Sequence, residues 1–409
     1  MSTERVRRLA ALDGLRLVAA LAVAFYHFTT FWELDGEHRA SYFMPDVSRV
    51  TVYGYLGVDL FFMISGFVIC MSGWGRSLGE FFVSRVARLY PAYWACVLVS
   101  AAVIVLLPVS GVIPVATPVS LGTVVANLTM LQEPLGAPSV DAVYWTLWTE
   151  LRFYLLFAVF VVVPGTTYRR TVIFCAVWMT ASVAAPAVHH PVFTMVTLGY
   201  FAPFFIAGIT MYLMRRYGAT PLLWAIVAFS WLVNVYNLGP RGMVRPGWEV
   251  AFWPAVLIVT LAYGALLLIA LGYTDRLNWR WLTLAGALTF PFYLLHRRVG
   301  YVLIQYGHDY TGLPAGALVV GAVAILLVAS WLVYRFVERP LGPRLRDAVR
   351  RGIAAAREAE PPLTSRARLT SLEPAGPVSP GSDARRRSLA AAEQRQRGRV
   401  AWLNPGPPR

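Results

Sequence analysis

Two groups able to move a proton or bind an anion lie eleven residues apart in an otherwise apolar run, "RLVAALAVAFYH", from Arg16 to His27. An α-helix advances about 1.5 Å and about 100° per residue, so the two side chains share one face within roughly 20°. Ionisable groups inside a membrane span are costly and normally face a bundle interior or a water-filled cavity. An ordinary imidazole, with a pKa near 6.5, accepts protons at neutral pH. The pattern predicts a polar cavity that Arg16 and His27 both face, in which His27 is either a functional group or a hydrogen-bonded core histidine.

Two further ionisable residues interrupt apolar segments. Glu150 lies in "VYWTLWTELRFYLLF" (143–157), close to Tyr154, and a carboxylate there either pairs with an arginine or takes part in chemistry by accepting a proton or orienting an imidazole. We expect it to lie near His27, because both residues fall toward the outer side of the predicted spans. His296, in "FPFYLLHRRVGYVL", is a second intramembrane histidine.

Small and polar residues mark the segment "GYLGVDLFFMISGF" (54–67). Gly57, Ser65 and Gly66 allow close helix packing, and Asp59 is an ionisable group near a membrane boundary. Packing explains the glycines as well as function does.

A pair of arginines follows in "GEFFVSRVARLYP" (79–91), a pattern that predicts an amphipathic helix lying on the membrane. Arg85 and Arg88 are three residues apart and project from one side of such a helix. Guanidinium groups match phosphate oxygens, so the pair suits a polyanionic ligand arriving from the cytosol. Ordinary positive charge in a cytoplasmic loop is the equal alternative.

The composition is that of a polytopic membrane protein: 409 residues, 57% hydrophobic and 14% charged, with a mean hydropathy of +0.57. All 36 basic residues are arginines, which excludes mechanisms that need a Schiff-base or phosphate-loop lysine. The three cysteines, Cys70, Cys96 and Cys175, lack metal-ligand spacing, so we expect packing roles and no metal site.

Apolar stretches of about 20 residues recur along the chain and predict an all-α bundle of about ten transmembrane helices. The predicted spans are 9–31, 54–73, 90–108, 142–164, 171–188, 196–214, 221–239, 250–272, 283–306 and 314–336. Arginines cluster in alternate loops, which places both termini in the cytoplasm of a multi-pass protein of the cell membrane.

The chain divides by composition into a transmembrane domain, 1–342, and an arginine- and proline-rich cytoplasmic tail, 343–409. The tail has no hydrophobic period able to bury a core and is predicted to be largely disordered. Its arginines favour contact with anionic lipid headgroups. Nucleic-acid binding is not expected, because no aromatic residues are interleaved with these charges in a base-reading pattern.

Six motifs in order resemble the integral-membrane acyltransferase family 3. They are "LDGLR" with His27 following, "GVDLFFMISGF", "FFVSRVARLYPAYW", "YWTLWTELRFYLLF", "FYLLH" and "FVERPL", spanning roughly 9 to 342. The resemblance implies ten core helices and transfer of an acyl group, commonly acetyl from acetyl-coenzyme A, to hydroxyls of sugars, polysaccharides or macrolide-type natural products. The sequence departs from the family pattern at two places. Thr146 stands where the motif usually has serine, and "TFPFYLLH" replaces the usual serine-tyrosine opening. Both departures concern the acceptor pocket and leave the reaction class unchanged.

Carried over residue by residue, the resemblance implies that His27 and Glu150 are catalytic. His27 is expected to act as the general base that takes the proton of the acceptor hydroxyl, and Glu150 to orient it or to stabilise the imidazolium. Arg16, Arg85 and Arg88 are expected to bind acyl-coenzyme A as co-substrate, with no bound cofactor and no metal. Four further residues are expected to contact the substrate: Asp59, Ser65, Tyr154 and His296. A secondary transporter with intramembrane ionisable residues is the alternative function.

Overall fold

A computed structural model describes residues 9–30, 34, 38–109, 119–242, 250–277 and 279–358 of the chain. The described residues are helical, with turns and loops between helices and no β-strand. The all-α prediction is therefore confirmed for this part of the chain. The first eight residues and the tail beyond residue 358 lie outside the described residues, and the orientation of the termini remains a prediction.

Eleven main helices make up the described architecture. They are α1 Ala10–Thr30, α2 Leu56–Gly73, α3 Leu78–Leu106, α4 Trp145–Phe157, α5 Tyr168–Val188, α6 Ala202–Tyr217, α7 Pro221–Gly242, α8 Phe252–Ala270, α9 Arg280–Thr311, α10 Ala315–Val333 and α11 Arg339–Glu358. Shorter helices connect several of them, for example Pro45–Thr51 before α2 and Pro191–Thr197 before α6.

Nine helical segments of the described chain are long and apolar enough to cross a membrane. They coincide with nine of the ten predicted spans. The tenth predicted span, 283–306, falls within α9, a continuous helix of 32 residues. The apolar character of this helix is interrupted by the polar side chains of His296, Arg297 and Arg298. Ionisable residues in the middle of a long helix of a membrane bundle indicate that the helix lines or packs around a functional interior.

The segment predicted as a separate surface helix is instead the beginning of α3. Ser77 and Glu80 form a capping box that starts the helix, and the helix continues through Pro91 without a break to Leu106. The prediction of a detached amphipathic helix over 79–91 was wrong, because residues 79–91 are continuous with the following apolar turns. Phe81 is buried, so this part of α3 packs into the bundle.

Small residues bring α2 and α6 into backbone contact. A Cβ added to Gly66 would collide with the carbonyl of Phe205, and one added to Gly208 would collide with the carbonyl of Met63. Gly57 similarly lies against the carbonyl of Ala19 on α1. The predicted packing role of Gly57 and Gly66 is thus confirmed, since any side chain there would separate the helices.

Helix α1 packs along α9, and this pairing positions the opening motif of the chain. Gly286 of α9 leaves the space that the Asp13 side chain occupies, and Gly300 leaves the space for Phe28. Close packing at both ends fixes the rotation of α1 against α9. One α1 face therefore presents Arg16 and His27 to the interior at two different depths.

A helix crosses the predicted domain boundary at residue 342, and the division of the chain at that residue stays a prediction. Helix α11 begins at Arg339 and continues to Glu358, so the first sixteen residues assigned to the tail are helical. The compact unit that contains the bundle extends to Ile353.

Candidate active site

One interior cavity has a volume of about 560 Å³ and is lined by α1, α2, α3, α4, α9 and α11. Six of the predicted site residues line it: Arg16, Ser65, Arg85, Arg88, Glu150 and Tyr154. They come from four different helices and from positions as much as 138 residues apart in the sequence. We call this space the arginine cavity.

The arginine cavity is strongly cationic. Five arginines line it against two carboxylates, Asp13 and Glu150. Two of those arginines, Arg76 and Arg346, were not among the predicted site residues. Neither belongs to a recognisable motif, so the only available signal was the general excess of arginine in the loops and in the C-terminal segment. A cavity of this charge is suited to a polyanion.

Two arginines of the cavity, Arg16 and Arg85, each have a neighbouring polar group on their own helix. Arg16 lies 3.8 Å from the Asp13 carboxylate through its guanidinium. Arg85 donates from Nε to the hydroxyl of Ser84 at 3.2 Å. These contacts hold the guanidinium groups at the cavity wall while leaving further N–H donors for a ligand, because a guanidinium has five.

Arg88 makes the strongest of these contacts, to a residue 250 positions later in the chain. Its guanidinium donates to Oε1 of Glu338 at 2.7 Å. The Glu338 side chain is only 9% exposed, whereas that of Arg88 is 41% exposed. The motif "FVERPL" therefore contributes a buried carboxylate that positions Arg88, a pairing that helix spacing could not reveal.

Glu150 belongs to the arginine cavity. The hydroxyl of Ser65 donates a hydrogen bond to Glu150 Oε1. Tyr154, one helical turn further along α4, lines the same cavity and is buried. The structure thus places three predicted site residues together, with the carboxylate facing a space rich in guanidinium groups.

His27 lies in a second cavity and pairs with the other intramembrane histidine. His27 Nδ1 is 3.0 Å from His296 Nε2, and His296 Nδ1 is 2.7 Å from the carbonyl oxygen of Tyr293. A carbonyl only accepts, so the hydrogen-bond network assigns the proton of a neutral His296 to Nδ1. His296 Nε2 then accepts from His27 Nδ1–H. This arrangement leaves the lone pair of His27 on Nε2.

The second cavity, which we call the histidine cavity, has a volume of about 240 Å³. Aromatic residues and one cation surround His27 there: Tyr26, Tyr55, Trp145, Tyr293 and Arg297. Arg297 is 3.8 Å from Asp141, which is fully buried just before α4 and accepts the backbone N–H of Arg298 at 2.9 Å. Burial raises the pKa of Asp141, while Arg297 and the backbone donors oppose that shift.

The two cavities share part of their walls. Val58 of α2 and Tyr293 of α9 line both. The Tyr293 hydroxyl is 3.0 Å from the hydroxyl of Thr146, the residue at which the sequence departs from the usual serine. A threonine preserves the hydroxyl that this contact needs. The arginine cavity and the histidine cavity therefore adjoin each other across one tyrosine and one valine.

Three predicted site residues have neighbours that their positions along the helices did not indicate. Among the described residues, Glu150 makes no hydrogen bond to His27, whose ring contacts His296 instead. His296 is fully buried and lines neither cavity; its ring contacts His27 and the Tyr293 carbonyl, and its expected contact with the substrate stays a prediction. Asp59 is also buried and lines neither cavity, and it lies near enough to Tyr263 of α8 to interact electrostatically. Helical depth alone could not distinguish these neighbours, because it leaves the packing of separate helices open.

Comparison with known proteins identifies the family. The acyltransferase domain model of acyltransferase family 3 matches residues 9–335, most of the chain. Acyltransferase MdmB of Streptomyces mycarofaciens is 28% identical over 380 residues, covering 82% of this chain and 92% of that protein. Exopolysaccharide production protein ExoZ of Rhizobium meliloti is 30% identical over 302 residues, covering 70% of this chain and 89% of that protein.

A third relative, putative peptidoglycan O-acetyltransferase YrhL of Bacillus subtilis, is 26% identical over 180 residues, or 39% of this chain and 25% of that protein. No solved structure matches the chain. The resemblance inferred from the six motifs is confirmed, and with it the prediction of an enzyme that transfers acyl groups. The match over 9–335 and the apolar helices show that the chain belongs to acyltransferase family 3, a family of multi-pass membrane proteins.

Proposed function

We propose that this chain transfers an acyl group, preferentially acetyl, from acyl-coenzyme A to a hydroxyl of a carbohydrate or of a glycosylated or macrolide natural product. The observation that carries the proposal is the pair of adjoining cavities, one rich in arginine and one containing His27, which share Val58 and Tyr293. A two-substrate transfer needs two binding spaces that meet at the reacting atoms.

The arginine cavity is the proposed donor site. Coenzyme A carries a diphosphate and a 3′-phosphate at one end and the thioester at the other, so its phosphates match guanidinium groups while its thioester must reach the base. Arg16 and His27 are eleven residues apart on α1, about 16 Å along the axis. The pantetheine arm is the part of the donor that would bridge this distance.

His27 is the proposed general base. As the acceptor oxygen attacks the thioester carbonyl, its proton passes to His27 Nε2, the nitrogen left unprotonated by the assigned network. Collapse of the tetrahedral intermediate breaks the C–S bond, and the imidazolium returns the proton to the departing thiolate. His296 positions His27 by accepting Nδ1–H, and it thereby takes the orienting role that the sequence analysis assigns to Glu150.

The histidine cavity is the proposed acceptor site. Its volume of about 240 Å³ suits one ring of a larger acceptor, and Tyr26, Tyr55 and Trp145 offer aromatic faces of the kind that pack against the apolar face of a sugar. Arg297 adds hydrogen-bond donors to this wall. Names of relatives that include exopolysaccharide production and peptidoglycan O-acetylation support a carbohydrate acceptor.

Glu150 is proposed to act within the donor site rather than on His27. Its carboxylate, held by Ser65, balances part of the arginine charge beside Arg16 and Arg85. Membership of an acyltransferase family does not favour the alternative of a secondary transporter.

Purified full-length protein tests the proposal directly. With acetyl-coenzyme A and a carbohydrate acceptor, free thiol should appear together with acetylated product. His27→Gln should lower the rate of transfer by at least ~10²-fold, because glutamine accepts no proton at neutral pH. Donor binding should be retained, since glutamine keeps a polar side chain at this position. A second variant, His308→Gln, is the matched control, since His308 lines neither cavity. Near-normal turnover by His27→Gln would exclude His27 as the base.

The natural acceptor is to be identified in a strain lacking this protein. Profiling of its glycans and small-molecule products should reveal one species that has lost the mass of an acetyl or a longer acyl group. Loss of transport of an unmodified compound, with no change in acylation, would contradict the proposed function.

A further inference from the structure

We propose that α11, which lies beyond the matched acyltransferase domain, supplies a phosphate-binding residue, Arg346, that together with Arg76 forms a second anion subsite at the mouth of the arginine cavity. The inference rests on the proposed use of acyl-coenzyme A. It adds a location for the nucleotide end of the donor and assigns a role in binding to the segment after residue 342.

Arg76 and Arg346 line the same cavity although they come from different parts of the chain. Arg76 lies between α2 and α3, and Arg346 lies on α11. Both are exposed, whereas only 23% of the Arg16 side chain is exposed. The two residues therefore mark the solvent end of the cavity and Arg16 its interior.

Neither of these two arginines forms an ion pair within the described part of the chain, although the charge of Arg76 acts on the exposed Glu80 carboxylate. Arg16 lies by Asp13 and Arg88 is paired with Glu338, but the side chains of Arg76 and Arg346 make no ion pair or hydrogen bond with any residue that the structure describes. Their guanidinium groups keep all their N–H donors available to a phosphate.

Contacts with α3 hold α11 in place at this mouth. Arg88 of α3 binds Glu338 at 2.7 Å immediately before α11 begins, and a Cβ on Gly342 would meet the carbonyl oxygen of Ala87 at 3.4 Å. Arg346 follows Gly342 by four residues and so projects from the same face of α11. The helix face that approaches α3 is thus the face that carries Arg346 to the cavity.

The chemistry of the donor matches this layout. The thioester must reach the wall shared with the histidine cavity, so the opposite end of coenzyme A, with its nucleotide phosphates, lies toward the solvent. Each phosphate carries between one and two negative charges at neutral pH and accepts bidentate guanidinium contacts. Arg76 and Arg346 are placed to make those contacts where the donor enters.

The test compares two donors with full-length protein: acetyl-coenzyme A and S-acetylpantetheine, which has the thioester but no phosphate. Arg346→Ala should raise the KM for acetyl-coenzyme A by about tenfold, the effect of losing one charge-assisted hydrogen bond, and Arg76→Ala should do the same. Neither change should alter KM or kcat with S-acetylpantetheine.

Arg351→Ala is the matched control. Arg351 lies on the same exposed helix but five residues further on, about 140° around the axis, and does not line the cavity. Its kinetics should be those of the wild type with both donors. The same three variants should retain their thermal unfolding temperature in detergent, because none removes a buried contact.

An unchanged KM for acetyl-coenzyme A in the Arg76→Ala, Arg346→Ala double variant would overturn the inference. Equal impairment with both donors would overturn it as well, since the effect would then not involve phosphate. Failure of the wild type to use acetyl-coenzyme A is a different result, and it would refute the proposed function itself.

Discussion

His296 offers the sharpest test of the proposed proton transfer, because it touches the base without lining either cavity. It accepts His27 Nδ1–H at 3.0 Å and is itself held by the Tyr293 carbonyl at 2.7 Å. Replacing it with phenylalanine removes the acceptor and leaves the Nδ1–H of His27 unsatisfied. An unsatisfied buried donor costs about 1–3 kcal/mol, so kcat should fall roughly five- to 150-fold if the loss is expressed in the transition state.

Two polar variants separate the two hydrogen bonds of His296. Glutamine places its amide near the position of Nε2, so His296→Gln should accept from His27 and recover most of the activity. Asparagine places its amide near the position of Nδ1, so His296→Asn should keep the contact to the Tyr293 carbonyl but lose the contact to His27. We therefore expect the order of kcat to be wild type, glutamine, asparagine, phenylalanine.

The assay is steady-state transfer from acetyl-coenzyme A, with KM and kcat determined separately for each variant. The KM for the donor should stay constant, since the arginine cavity is unaltered, and the loss should appear in kcat. A merely structural role would lower the amount of folded protein without producing this order. Equal kcat values for the glutamine and asparagine variants, or full activity in the phenylalanine variant, would refute the positioning role.

The remaining predictions concern the donor site, the packing and the tail. Arg85→Ala should weaken binding of acetyl-coenzyme A roughly tenfold to 150-fold in a titration. An unchanged affinity would show that Arg85 has no role in donor binding. Arg88→Ala should lower both the unfolding temperature and the affinity for acetyl-coenzyme A, because it leaves the Glu338 carboxylate buried without its cation. Adding Glu338→Gln should restore the unfolding temperature but not the affinity for acetyl-coenzyme A. Recovery of both would assign Arg88 a structural role only. Gly208→Leu should prevent stable assembly, seen as aggregation on gel filtration, because its side chain would meet the Met63 carbonyl, whereas Gly316→Leu in open space should not. A chain ending after Glu358 should keep its specific activity, and a loss in well-inserted protein would show that the tail takes part.

The sequence alone determined the class of protein and the residues worth testing. Apolar runs of span length are a local property, so nine of the ten predicted spans could be located without a structure. Spacing on one helix is local too, which is why the shared face of Arg16 and His27 was predictable. The motifs in order were enough to indicate the family that the comparison with known proteins identifies.

Tertiary structure decided the partners of those residues, because partners belong to different helices whose rotation and depth depend on packing. Depth along a span suggested Glu150 beside His27, but the helix packing brings His296 to the imidazole and Ser65 to the carboxylate. The pairing of Arg88 with Glu338 joins residues 250 positions apart. Hydropathy measures only how readily a segment leaves water. It therefore predicted two separate elements meeting near residue 90, although the α3 helix is continuous there.

The division of the interior into two cavities is likewise a property of the assembled bundle. It depends on Val58 of α2 and Tyr293 of α9, which line both cavities, and on a hydroxyl contact between Tyr293 and Thr146. No local pattern marks Arg346 as a cavity residue, since in sequence it is one of many arginines in a polar segment. Its position at the cavity follows from the contacts of α11 with α3, which exist only once distant parts of the chain have packed together.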